Sequence, residues 1–266
     1  MMSRTMSRTR LTALAFACAL PLSNARAADP LPQRPSYDLG TDLAVTAVAA
    51  GGALGLLALK NQLAPVTCRW CNPPGFDADV TRTLAWSNTG AASTTSDVLQ
   101  VAIGGGVLGY AVLDGYRRGD REAGFANALL IAEATSIALL IDEGVKYAVG
   151  RSRPYVFLGR QGDSPGGNLS FFSGHTTFAF AVAASSSTLL LSQHAPGAVA
   201  LSVIAFSAAG LTGYLRIAAE QHYLTDVLAG AVVGTVVGWA VPHFFHGPRE
   251  GGLALRPVPG GISIAW

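Results

Sequence analysis

Charge is what this 266-residue chain has least of: Asp, Glu, Lys and Arg make up 13% of it, against about 25% in ordinary soluble domains. Half of the residues are hydrophobic, and the mean hydropathy is +0.38. Such a composition argues for a membrane protein. The chain also lacks a strong excess of either sign, since 18 basic and 16 acidic residues leave a net charge of +2. That excludes a nucleic-acid binder, so any anion binding must come from local clusters. Cysteine is scarce as well, with three residues. Cys68 and Cys71 form "CRWC", with no further Cys or His nearby to complete a zinc site and no βαβ setting for a thioredoxin-like redox role. In an exported chain this pair reads most simply as a local disulfide. Cys18 sits in no good lipoprotein box, because Phe16 is bulky where a small residue is expected.

The N-terminus carries Arg4, Arg8 and Arg10, a short apolar stretch from Leu11 to Leu22, then "ARA" at Ala25–Ala27. This is the pattern of a signal peptide cleaved after Ala27, or of an uncleaved signal anchor. Six apolar stretches of near-membrane length follow, at about 41–59, 97–113, 125–145, 176–192, 197–215 and 227–245. A spanning helix needs ~20 predominantly apolar residues. The sixth carries no charge; the others are rich in Gly, Ala, Ser and Thr, which let membrane helices approach closely but would also suit a tightly packed soluble bundle. The expected fold is therefore all-α, a membrane-embedded bundle of about six helices. Its layout is a leader over 1–27, an N-terminal helix and loop with the C-x-x-C pair over 28–96, a helical core over 97–245, and an extended tail over 246–266.

The arginine-rich loop "YRRGDREAG" (116–124) is assigned to the cytoplasm by the positive-inside rule. The polar segments 146–175 and 216–226 then share the outer, periplasmic face. Six spans on this topology want the N-terminus inside, whereas a cleaved leader puts it outside, so either the leader stays or the segment 41–59 does not span.

Three polar clusters flank the last four stretches. His222 and Asp226, four apart, share one face if helical; a carboxylate there fixes the imidazole tautomer and raises the basicity of its other nitrogen. Taken alone, such a pair is more often surface decoration. Lys146 and Arg153 are seven apart, ~10 Å along a straight helix, but Gly150 and Pro154 supply a break that lets both heads meet. The alternative is that they snorkel at a membrane edge, which Arg151 does in either case. Ser173, Gly174 and His175 precede the fourth stretch, where orphan backbone N–H groups favour anions; alone, Ser173 is an ordinary N-cap. Together, three cations, two histidines, one carboxylate and a helix N-terminus fall on one face, which suits a tetrahedral oxyanion.

In order and spacing, K-x6-RP, SGH and R-x5-H-x3-D resemble the type 2 phosphatidic acid phosphatase superfamily. They stand here as Lys146–Arg153–Pro154, Ser173–Gly174–His175 and Arg216–His222–Asp226, and the likeness covers about 97–245. It implies a phosphatase whose nucleophile is His222, oriented by Asp226, with His175 as general acid and then base. Lys146, Arg153, Arg216, Ser173 and Gly174 would bind the phosphoryl oxygens. No metal or other cofactor is implied, because fixed cations take the metal's place. The implied partners are the bilayer and a lipid phosphate or isoprenoid diphosphate; a soluble acid phosphatase and a non-catalytic anion-binding component are the other readings. The chain departs from the family where Phe172 replaces a frequent Pro and Leu215 a usual Ser.

Outside these motifs, Glu133 in mid-span is expected to be structural, either protonated or paired inside the bundle, since an isolated charge there is costly. Asp142 lies one turn before Lys146, where it can orient it. His194, His243 and His246 read as interfacial residues on the far side. "GGG" at 104–106 reads as a close-packing feature, since it lacks the strand–turn–helix setting of a nucleotide loop.

Overall fold

The computed structural model describes residues 34–160 and 164–247 and two strands at 254–258 and 261–265. The expected leader over 1–27, with Cys18, lies outside these residues. The helices are α1 (Leu39–Ala58), α2 (Lys60–Leu63), α3 (Gly75–Leu84), α4 (Thr89–Arg117), α5 (Arg121–Val149), α6 (Pro154–Phe157), α7 (Gly174–Ser192), α8 (Ala198–Ala218) and α9 (Leu224–Ala240). A π-helical turn, Val241–Phe245, extends α9. The tail is an antiparallel pair, β1 (Ala254–Val258) and β2 (Gly261–Ala265).

Side-chain caps set the starts of the long helices. Asp38 accepts from the Thr41 N–H at 2.8 Å, Asn88 from the Ala91 N–H at 2.9 Å and Asp120 from the Ala123 N–H at 3.1 Å. Each satisfies one of the orphan donors of a first turn. Gly150 ends α5 at φ 60°, a left-handed conformation that glycine adopts without a Cβ clash.

Five helices are long and apolar enough to cross a membrane: α1, α4, α5, α8 and α9 with its extension. At 1.5 Å per residue the 20 residues of α1 reach about 30 Å, the thickness of the hydrocarbon layer. The stretch 41–59 is therefore long enough to span. Large apolar side chains point outward along these helices; Val48, Val101, Val199 and Val232 are each more than 60% exposed. In water such a surface would be an aggregation liability. In a bilayer it is the lipid-facing wall, and we read the chain as an integral membrane protein.

The fourth stretch of the sequence reading, α7, is absent from those five. It is the central helix, packed against α4, α5, α8 and α9, with Ser173, Thr176, Thr177, Ser185 and Ser186 buried. Because α7 faces protein rather than lipid, it can be polar and small. Its closest neighbour is α9, whose Gly230, Gly234 and Gly238 lie against the α7 backbone; a Cβ on Gly238 would stand 2.5 Å from the Ala181 carbonyl oxygen. In "GGG", Gly104 alone is close-packed, under the Phe178 ring, while Gly105 and Gly106 face open space.

Two boundaries differ from the sequence reading. The loop 68–94 contains α3, whose Asp77, Ala78 and Thr81 face inward. The core helix starts at Thr89 rather than 97, since "TGAASTTSD" continues the helix behind the Asn88 cap. That early start sets Ser93, Ser96 and Asp97 beside Arg216.

Candidate active site

The segments 59–88, 150–160, 164–173 and 219–223 meet at one end of the bundle, tied by backbone hydrogen bonds such as Arg69 N–H to the Gly150 carbonyl and Tyr155 N–H to the Glu220 carbonyl. There Lys146, Arg153, Gly174, His175, Arg216 and His222 line a single cavity of about 420 Å³. A second cavity of about 290 Å³ shares Lys146, Arg153 and Arg216 and opens toward the loop residues Ser164–Gly166 and Gln221. The residues of the three sequence clusters thus meet, except Ser173 and Asp226, which lie behind the cavity wall.

Each cation is held by its own partners. Lys146 Nζ sits 2.5 Å from Asp142 Oδ2 and 2.7 Å from Glu143 Oε1, so Asp142 orients the lysine as the spacing suggested. Arg153 caps α6 ahead of Pro154. Its Nε donates to the Gly166 carbonyl at 2.9 Å and its Nη1 to Gln221 Oε1 at 2.7 Å. Arg216, 5% exposed, donates to Ser96 Oγ at 2.9 Å. Gly174 is required for space: a Cβ there would lie 2.8 Å from Lys146 Nζ and 2.7 Å from Asp142 Oδ2.

His222 lies in the turn before α9 rather than on a helix face with Asp226, and the two are 3.8 Å apart. Its Nδ1 is 2.7 Å from the Ser170 carbonyl oxygen. A carbonyl only accepts, so Nδ1 carries the proton and Nε2 keeps its lone pair. Burial, followed by the charges of Arg153, Arg216 and Lys146, pushes the His222 pKa well below that of an ordinary imidazole. The ring is therefore neutral at neutral pH.

Asp226 acts on this arrangement at one remove. It accepts from Ser170 Oγ at 2.5 Å and from the Tyr223 N–H at 2.9 Å, and it pairs with Arg151. Holding Ser170 fixes the carbonyl that fixes His222. Arg151 is not snorkelling: it is 1% exposed, 2.7 Å from Asp77 Oδ2 and stacked between Trp70, at 3.9 Å, and Tyr223, at 4.3 Å. Asp77 in turn accepts from Thr225 Oγ1 at 2.6 Å. The structure pairs Cys68 with Cys71 at a Cα–Cα distance of 5.2 Å, in the loop that carries Trp70. Ser173 also departs from the sequence reading. It is fully buried, and its Oγ accepts from Thr176 Oγ1 at 2.9 Å. Phe172, where the family often has Pro, is 3% exposed and packs edge-on against Phe171; Leu215 packs against Ala92, Ala218 and Ala219.

Sequence reasoning missed Asp97, Ser170, Asp77 and Gln221. Asp97 Oδ1 lies 2.7 Å from His175 Nε2 and 3.5 Å from Arg216. A carboxylate at the edge of an apolar run was its one sequence signal.

Residues 124–250 match the PAP2 superfamily, and the match includes every residue of the three clusters. The Lipid A 1-phosphatase of Porphyromonas gingivalis is similar to it, 35% identical over 127 residues that make up 45% of this chain and 25% of that protein. The alignment thus spans about a quarter of the relative's length. Among solved structures, a transmembrane PAP2 type phosphatidylglycerolphosphate phosphatase from Bacillus subtilis is similar at 21% identity. That likeness covers 77% of this chain and 86% of the other, with a TM-score of 0.40.

Proposed function

We propose that this protein removes phosphate from a lipid phosphate or isoprenoid diphosphate, without a metal, through a phosphohistidine on His222. The observation that carries this reading is the Ser170 carbonyl on His222 Nδ1, which leaves Nε2 as a buried, neutral nucleophile in a cavity shared with three cations. In the first step Nε2 attacks phosphorus and the ester oxygen leaves with a proton from His175. In the second, His175 takes a proton from water, whose oxygen attacks the phosphohistidine, releasing phosphate and restoring His222. Burial and the Arg216 charge lower the His175 pKa to about 4, and Asp97 on its Nε2 opposes that lowering; the negative charge of a bound phosphate adds to Asp97 in favouring the imidazolium that donates the proton. Lys146, Arg153 and Arg216 hold the phosphoryl oxygens where charge accumulates.

The substrate class follows from the other wall. Ala50, Ala53, Leu54 and Leu57 of α1 and Leu139 of α5 line the cavity opposite the cations. A phosphate head fits one half and a hydrocarbon chain the other, and the activity named for the Porphyromonas gingivalis relative is of this kind. The apolar exterior disfavours a soluble acid phosphatase, and a mere anion-binding component would not need the fixed tautomer. The cluster Arg117, Arg118 and Arg121, read as cytoplasmic, supports a cavity facing the periplasm from the inner membrane.

The test is phosphate release by the detergent-purified chain from lipid phosphates in mixed micelles, beside p-nitrophenyl phosphate and with EDTA present. We expect lipid phosphates to be preferred, EDTA to have no effect on the initial rate, and an acid-labile, alkali-stable protein phosphate to be trapped in the wild type but not in His222→Ala. A strict metal requirement, or full activity in His222→Ala, would sink the reading.

A further inference from the structure

At the opposite end of the bundle, three ionisable side chains from distant parts of the chain meet inside the helices. Asp42 comes from the first turn of α1, Glu133 from the middle of α5, and His246 from just beyond the π-helical turn; one ligand atom of each lies within 4.8 Å of the others. All three are buried, at 3%, 5% and 4% exposure. The sequence reading took His246 for an interfacial residue. Its ring is instead drawn inward, because Ser36 binds it from the other side of the chain. Along α5, Glu133 and Lys146 are separated by about 20 Å of helix, so this cluster is distinct from the phosphate cavity.

Three observations favour an ion over an ordinary ion pair. First, His246 Nδ1 lies 2.9 Å from the Ser36 carbonyl oxygen, so Nδ1 carries a proton and Nε2 is the nitrogen that faces the carboxylates. A backbone carbonyl on the distal nitrogen is the usual support of a metal-binding histidine. Second, His246 Nε2 and Glu133 Oε1 stand 3.5 Å apart, too far for a charge-assisted hydrogen bond, which closes to about 2.7–2.9 Å. Two ligands at about 2.0–2.1 Å from one tetrahedral zinc stand about 3.4 Å apart. Third, Glu133 Oε2 and His246 Nε2 are buried without a hydrogen-bond partner among the described residues. No lysine or arginine among the described residues pairs with either carboxylate. Two buried acidic side chains and one imidazole with no other cationic partner among the described residues are a donor set that a divalent cation satisfies.

We propose that Asp42, Glu133 and His246 form a binding site for a divalent transition cation of the zinc class, which ties α1 to the segment that matches the PAP2 superfamily. Asp42 lies outside that segment, while Glu133 and His246 lie within it. The same α1 supplies the apolar wall of the phosphate cavity, so the ion would fix that wall from its far end. The site takes no part in phosphoryl transfer and does not depend on the proposed reaction.

The test is zinc uptake by the tag-free, full-length chain in detergent. The chain is stripped with EDTA, incubated with zinc and gel-filtered, and the metal is counted by mass spectrometry. The wild type should hold about one zinc per chain and melt at a higher temperature with zinc than with EDTA. Cobalt in place of zinc should give visible absorption bands that report the ligand field without reference to activity. Glu133→Gln and His246→Gln should each lose the zinc-dependent shift in melting temperature, while the His175→Ala/His222→Ala double variant keeps it. Should Glu133→Gln fail to fold, Asp42→Asn should still show zinc affinity reduced by about 10–100-fold. No zinc uptake by the wild type, uptake that survives Glu133→Gln and His246→Gln, or uptake that vanishes in the double variant would overturn the assignment.

Discussion

The two ends of the bundle solve opposite electrostatic problems. At the cavity end, cations converge and each is balanced on its outer side: Lys146 by Asp142 and Glu143, Arg153 by carbonyls and Gln221, Arg216 by serines and Asp97. Their inner sides face open volume suited to an anion that comes and goes. At the far end, carboxylates converge with one imidazole, and no lysine or arginine pairs with them among the described residues. The difference is instructive because α1 and α5 run through both regions: α1 supplies Asp42 to one and apolar lining to the other, and α5 supplies Glu133 and Lys146. Burial of charge is tolerable at one end through dense partnering and solvent access. At the other it calls for a permanent counter-charge.

The contrast can be broken at either end, and the largest effect is expected at the nucleophile. His222→Ala should lower kcat by roughly 10⁴-fold or more, as for loss of a covalent nucleophile elsewhere, while Glu133→Gln at the far end leaves kcat unchanged in the phosphate-release assay. Next comes Arg151→Ala, which strands Asp77 and Asp226 as buried, unpaired carboxylates. A loss of about 3–5 kcal/mol should appear as a large drop in melting temperature together with low activity, because Ser170 is no longer held. Gly174→Ala pushes a methyl into the contact between Asp142 and Lys146. A displacement of that order costs roughly 10²-fold in kcat/KM with little change in melting temperature. Cys68→Ser/Cys71→Ser frees a short loop and should cost about 2 kcal/mol on the chain-entropy estimate, read as a modest fall in melting temperature.

The smallest effect sharpens the electrostatic account of the cavity. Buried and ringed by cations, His222 has its pKa lowered, so the acid limb of kcat/KM should lie below the ordinary imidazole value near 6.5. Among the charges, Arg153 contributes most to that lowering after burial itself. Arg153→Gln removes this repulsion, so protonation of the free enzyme should begin at higher pH. The acid limb of the residual activity then moves upward, and an unmoved limb would contradict the account.

Much of the cavity end was legible in the chain because its signals are local. The Gly150–Pro154 break, the SGH tripeptide at a helix start, and the cations at fixed spacing can each be read within a dozen residues. The partners that make the residues work were not legible. Ser170 orients His222 across 52 positions, Arg151 meets Asp77 across 74, and Asp97 meets His175 across 78. The carboxylate four residues after His222 was expected to touch it, but the turn before α9 turned the ring toward a backbone carbonyl instead. At the far end, His246 gave no sign of burial, since it follows an exposed histidine at a helix end.

By itself, the sequence determined that the chain is a bundle of apolar helices and that its histidines and basic residues near 146–175 and 216–226 fall in short clusters at helix ends. Apolar runs, caps and breaks act over one or two turns, and these were on the page from the start. Tertiary structure decided which helix is central, which nitrogen of His222 is free, and that Asp42, Glu133 and His246 meet at all. Those outcomes depend on how glycine and serine faces pack across the bundle, a property of pairs of surfaces that no single stretch of residues contains.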